Sequence, residues 1–166
     1  MSTNKETLNQ LREAIDDVHD QRKLFQHSLT QEIISSHEFS DEQLGKITKM
    51  KLNHSKVEIL SIVNDAGELP YKTLTEQASF SQGMVSRYVK QLITANLLTK
   101  VNLPDNNKAY NLQVTDAGRI LAEQHDAMHV KMDTAYNAVL SQFSDKRIAK
   151  TIELLQALAT THLEKR

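Results

Sequence analysis

His125 and His129 stand four residues apart in a run with helical periodicity, so both imidazoles can face one cation, with zinc the first ion to consider. A second group offers a different chemistry. Between Ser81 and Lys100 there is no acid, whereas Arg87, Lys90 and Lys100 are cationic. Gln82 and Ser86 carry the short polar groups that hydrogen-bond to base edges, and Arg87 suits a base or a phosphate. Ser, His and Asp all occur in the chain. No strained nucleophile turn, Gly-rich phosphate loop or His-Glu-x-x-His motif accompanies them, so the sequence predicts no enzyme and no cofactor beyond a possible zinc ion.

The cationic group needs an element to present it. Leu74 and Ala78 form one apolar turn, Phe80 follows in a corner, and Ser81 is placed to cap a second helix. Met84, Val85, Val89 and Leu92 recur at helical spacing, and Asn96 falls where a left-handed C-cap is wanted. Leu97–Val101 and Ala109–Val114 read as two strands around the turn cluster Pro104-Asp105-Asn106-Asn107-Lys108. Helix, helix and β-hairpin make a winged helix-turn-helix, whose second helix enters the DNA major groove.

The flanks read as supports. Leu8, Leu11, Ile15, Val18, Arg22, Phe25 and Leu29 follow alternating spacings of three and four, extended by Ile33, and predict a long helix with a seam that needs a partner. Residues 37–51 are polar and read as a linker or a short extra helix. Helical spacing resumes at Val57, Leu60 and Val63, with Asn53 or Ser55 as cap. After the wing, Thr115 can cap a helix striped with Ala117, Ile120, Leu121, Gln124, Met128, Met132, Ala135, Val139 and Phe143. Ile148, Ile152, Leu155, Ala159 and Leu163 mark a last one.

Composition agrees with a mainly α protein: 166 residues, no Trp, two Pro and four Gly. A net charge of −1 leaves no global basic bias, so any DNA contact must come from local charge. The absence of cysteine and of an apolar leader or span predicts a cytoplasmic protein with no membrane partner.

In order of elements the chain resembles the MarR family of bacterial transcription regulators. Leu74–Leu98 fits that family's helix-turn-helix without a gap, Val114-Thr115-Asp116-Ala117-Gly118-Arg119 is similar to its "LT-x-x-G-R" lead into the dimer helix, and Leu52–Leu60 is similar to the preceding helix. The resemblance implies one domain over residues 1–166. Its dimerisation helices would cover 1–36 and 116–166, and its winged unit 52–115. It implies a homodimeric repressor on a palindromic operator, relieved by a small apolar or phenolic effector. By position it assigns DNA contact to Ser81, Gln82, Gly83, Ser86 and Arg87. Lys90 is expected at phosphate, and Asn107 and Lys108 at the wing. There Lys108 stands where the family usually has Arg, a weaker reader of the minor groove. A zinc-sensing branch places ligands at His125 and His129, with Glu58 where that branch has a further His. Glu32, His37 or Glu38 would complete such a set. The alternatives are therefore a zinc-responsive repressor, or a helical protein–protein adaptor that ignores DNA.

Overall fold

A computed structural model describes residues 5–35, 38–103 and 106–161, with the side chains of 25, 26, 29, 30, 33, 34 and 106–108 left aside. His37, the turn residues Pro104 and Asp105, Leu163, and the side chains of Phe25, Leu29, Ile33, Asn107 and Lys108 thus lie outside the description. The chain forms two compact units, residues 1–126 and 127–166.

The first unit opens with α1 (Lys5–Ser35), a single helix of 31 residues along the expected seam. The polar stretch that follows is a helix, α2 (Asp41–Met50). Ser40 accepts the Gln43 N–H at 3.3 Å while the Gln43 side chain accepts from the Ser40 N–H at 3.4 Å, a reciprocal box that satisfies two orphan donors. Ile47 is buried beneath it. Asn53, rather than Ser55, caps α3 (His54–Ala66) by accepting the Lys56 N–H at 3.1 Å, and Gly67 at φ 70° ends it. Strand β1 (Leu69–Pro70) leads into α4 (Tyr71–Gln77), and α5 (Gln82–Thr94) follows.

The wing is β2 (Leu98–Leu103) with β3 (Asn106–Val114), antiparallel from Leu98↔Val114 and irregular at Asn102/Leu103. β1 pairs with the other edge of β3, giving the order β1-β3-β2. Sequence pattern does not announce that third strand. Two residues are too few to show a period, and Pro70 is tolerated because β1 is an edge.

The core lies where the helices meet this sheet. Ile59, Leu60, Val63, Leu74, Val85, Leu92 and Leu112 are sealed from solvent. The helix α6 (Asp116–Leu140) begins there. Thr115 caps it as expected, accepting the Gly118 N–H at 3.1 Å and donating to the Asn96 carbonyl at 2.8 Å. The Thr115 N–H also donates to the Leu97 carbonyl, so the wing's base and the helix start are tied at one corner. Ala117, Leu121 and Ala122 pack inward.

In the second unit α6 stops at Leu140, short of Phe143, and α7 (Asp145–Ala159) follows. No described side chain of α7 is buried.

Candidate nucleic-acid interface and histidine cluster

Helix α5 is built to show one face. Ser81 accepts the Met84 N–H at 3.4 Å and starts it. At its end Asn96 takes φ 58°, Leu97 N–H donates to Leu92 O at 2.9 Å and Asn96 N–H to Ile93 O at 3.0 Å. These are the two bonds of a Schellman ending, with Asn in the role usually given to Gly. Val85, Tyr88, Val89 and Leu92 turn inward. Ser81, Gln82, Gly83, Ser86, Arg87 and Lys90 are all exposed. The residues expected to meet DNA therefore share the helix surface left over by core packing. A Cβ on Gly83 would meet nothing within 4 Å, so its bare backbone faces open space. Asn107 and Lys108 lie in β3.

Behind that face stands an arrangement that the sequence pattern does not reveal. Two cations stand over the Tyr88 ring, Arg87 Cζ at 5.3 Å and Lys56 Nζ at 5.5 Å from its centroid. Phe80 meets the same ring edge-on at 6.3 Å. Such contacts hold a guanidinium that would otherwise sample many rotamers. Lys56 is only 4% exposed. Its ammonium donates to the carbonyls of Met50 at 2.7 Å and Lys51 at 2.8 Å, the groups left unpaired where α2 ends. Lys51 itself is left-handed there, at φ 55°. Burial, and then the nearby Arg87 charge, push the Lys56 ammonium below its ordinary pKa. A signal did exist: Lys56 shares the α3 face of Leu60 and Val63, an odd place for a solvated lysine.

The histidines gather around His125, which is 5% exposed. Its ring meets that of His54 edge-on, centroids 4.9 Å apart, and ligand nitrogens of the two lie within 4.8 Å. His129 follows one turn later on α6. His125 Nδ1 lies 3.0 Å from Asp126 Oδ1, which also accepts the Ser61 hydroxyl at 2.7 Å. A carboxylate held in that way favours the proton on Nδ1 and leaves Nε2 as the ligand atom. Spacing along the chain singles out the pair His125/His129 but not His54, which lies far from both in sequence. Glu58 falls one turn along α3 from His54, with 3.9 Å between His54 Nδ1 and its Oε2, and takes a bond from Ser79 at 3.3 Å. Glu38 is engaged elsewhere, accepting the Gln124 amide at 2.7 Å. His54 and Glu58 also border a polar cleft of about 300 Å³ that reaches Arg22 of α1.

A capped recognition helix, its supporting helix and a β-hairpin define a winged helix-turn-helix protein. Residues 52–110 match the MarR family model. It is similar to the uncharacterized HTH-type transcriptional regulator YhjH of Bacillus subtilis, 25% identical over 155 residues that cover 86% of this chain and 87% of that one. The HTH-type transcriptional regulator PchR of the same organism is 21% identical over 124 residues, 75% and 72% of the two chains. Among solved structures, the adhesin competence repressor AdcR of Streptococcus pyogenes aligns with a TM-score of 0.61 at 17% identity, covering 95% of this chain and 96% of that one. The zinc-responsive MarR family member ZitR of Lactococcus lactis aligns at 0.57 and 20%, covering 86% and 96%. At such identities the structural likeness speaks for the fold. No described helix is long and apolar enough to cross a membrane.

Proposed function

We propose that the protein is a homodimeric, sequence-specific DNA-binding transcriptional regulator that represses from a palindromic operator and responds to a small ligand. The observation that carries this reading is the exposed face of α5, where Gln82, Ser86, Arg87 and Lys90 stand together on a helix without an acid. Arg87 offers a fork to guanine or phosphate, Gln82 and Ser86 bond base edges, and Lys90 meets the backbone. Two such helices on one dimer read half-sites about one helical turn apart. The adaptor alternative predicts no duplex affinity that falls with salt. The test is Arg87→Ala in a binding assay on fragments from the protein's own promoter region. Preference for the bound fragment should fall by about 1–3 kcal/mol with the dimer intact; unchanged preference would count against the docking.

The histidine geometry supports a second reading, in which the small ligand is zinc. Neutral imidazoles at His54 and His125 suit zinc, as does the i, i+4 spacing of His125 and His129 along α6, and the Ser61–Asp126–His125 chain orients the His125 ring as metal-binding histidines require. Bound there, zinc would tie α6 to α3, the helix whose Lys56 backs the reading helix. Titrating zinc into metal-free protein should show one tight site per chain, abolished by His125→Ala, with a change in operator affinity. A protein that takes up no zinc tightly, or takes it up with His125 replaced, sinks this reading and leaves the DNA reading standing.

A further inference from the structure

We infer that α2 is a second DNA-contacting element, and that Lys46 and Lys49 clamp the phosphate backbone beside the groove that α5 enters. This rests on the DNA reading above and extends it to a helix to which that reading assigns nothing.

Three observations converge. Lys46 and Lys49 of α2 and Arg87 and Lys90 of α5 line one cleft of about 610 Å³, together with Met50 and Ala95. Among the described residues lining it none is acidic. Four like charges around one opening repel one another in the free protein, a cost that a polyanion removes. Second, the cleft is continuous with the reading face, since Arg87 and Lys90 belong to both. A helix-turn-helix presents the start of its second helix to base edges while neighbouring elements cross the backbone. The cleft flanks the later turns of α5, from Arg87 to Ala95, where a flanking strand would run. Third, α2 is anchored. The buried Lys56 ammonium holds the carbonyls of Met50 and Lys51 and lies against the Tyr88 ring of α5, so α2 and the reading helix are referred to one side chain. A helix fixed in that way presents its lysines at a set distance from α5, whereas lysines on a loose linker would contribute only diffuse attraction.

Lys46 also has a partner in its own helix, Glu42 at 2.7 Å. Both groups are exposed, and an exposed pair of this kind is worth too little to keep the lysine from a phosphate. Lys49 lies in the last turn of α2.

The test uses the full-length protein carrying Lys46→Gln and Lys49→Gln together, with binding measured on the operator fragment and on an unrelated duplex between about 50 and 200 mM salt. Removing one lysine–phosphate pairing flattens the plot of log affinity against log salt by about one. The double variant should therefore flatten it by about three to four per dimer. Affinity should fall by the same factor on both duplexes, leaving their ratio unchanged. Replacing both lysines with Arg should restore the slope. Both side chains are exposed on the helix surface, so a normal circular dichroism spectrum is expected. An unchanged slope in the double variant, with wild type binding normally, overturns the inference and spares the DNA reading. So does a loss confined to the operator, or saturable binding of inorganic phosphate that Lys46→Gln/Lys49→Gln abolishes without touching the slope. Wild-type protein that binds no duplex at any salt overturns both.

Discussion

Gly118 has no room for a side chain. A Cβ there would run into the Leu97 carbonyl oxygen, which is backbone and cannot swing away. The same carbonyl accepts the Thr115 N–H, so moving it breaks the corner that joins wing and helix. Gly118→Ala should cost about 3 kcal/mol, the upper part of the range for overpacking, read as a lower urea midpoint. A midpoint within experimental error of wild type would mean that α6 approaches the wing less closely. The glycine of the "LT-x-x-G-R" resemblance thus has a physical reason in this chain, as does Asn96. Its φ of 58° costs less for Asn than for most residues, because a short polar side chain tolerates the left-handed region. Both positions were legible in the sequence as types. The clash itself needed the fold.

At the scale of elements, α2 is the most instructive. Its sequence is polar and interrupted by Gly45, which costs about 1 kcal/mol in a helix, and propensity left the choice between linker and helix open. Local capping and one distant side chain favour the helix. Ser40 and Gln43 close its start, Asp41 and Glu42 sit favourably at the N-terminus, and Lys56 satisfies the carbonyls at its end. The Ser-x-x-Gln box was readable in advance, but the Lys56 bonds were not, since they depend on where α3 turns its first residues. α5 is the opposite case. Its cap, its C-terminal turn and its division into apolar and polar faces follow from local rules, and each is found as expected. Two residues depart: Met84, expected in the apolar stripe, is only half-buried, and Tyr88, outside that stripe, is buried with its ring edge-on to Phe80.

At the scale of the molecule, the single chain leaves apolar surface uncovered on its long helices. On α1, Leu8, Ile15 and Val18 are 39%, 40% and 66% exposed. On α7, Ile152, Leu154, Leu155 and Leu158 are each at least 41% exposed. Exposed apolar runs mark interaction sites, and the proposed homodimer would use them to set two α5 helices on a symmetric operator. Sedimentation of the wild type at micromolar concentration should give a dimer, and Ile152→Glu with Leu155→Glu should shift it to monomer with loss of cooperative operator binding. A wild type that sediments as a monomer at all concentrations would remove the basis for a symmetric reader.

What the amino-acid sequence determined unaided is the set of features carried by neighbours along the chain: helix periods, caps, the strands of the hairpin and the acid-free exposed face of α5. These depend on interactions within about one or two turns, so the residues that make them are adjacent in the string. Tertiary structure alone decided the pairing of β1 with β3, the meeting of His54 with His125, the anchoring of α2 by Lys56 and the cleft between Lys49 and Arg87. Each joins groups from separate elements, and their encounter is set by how the whole hydrophobic core closes rather than by any local preference.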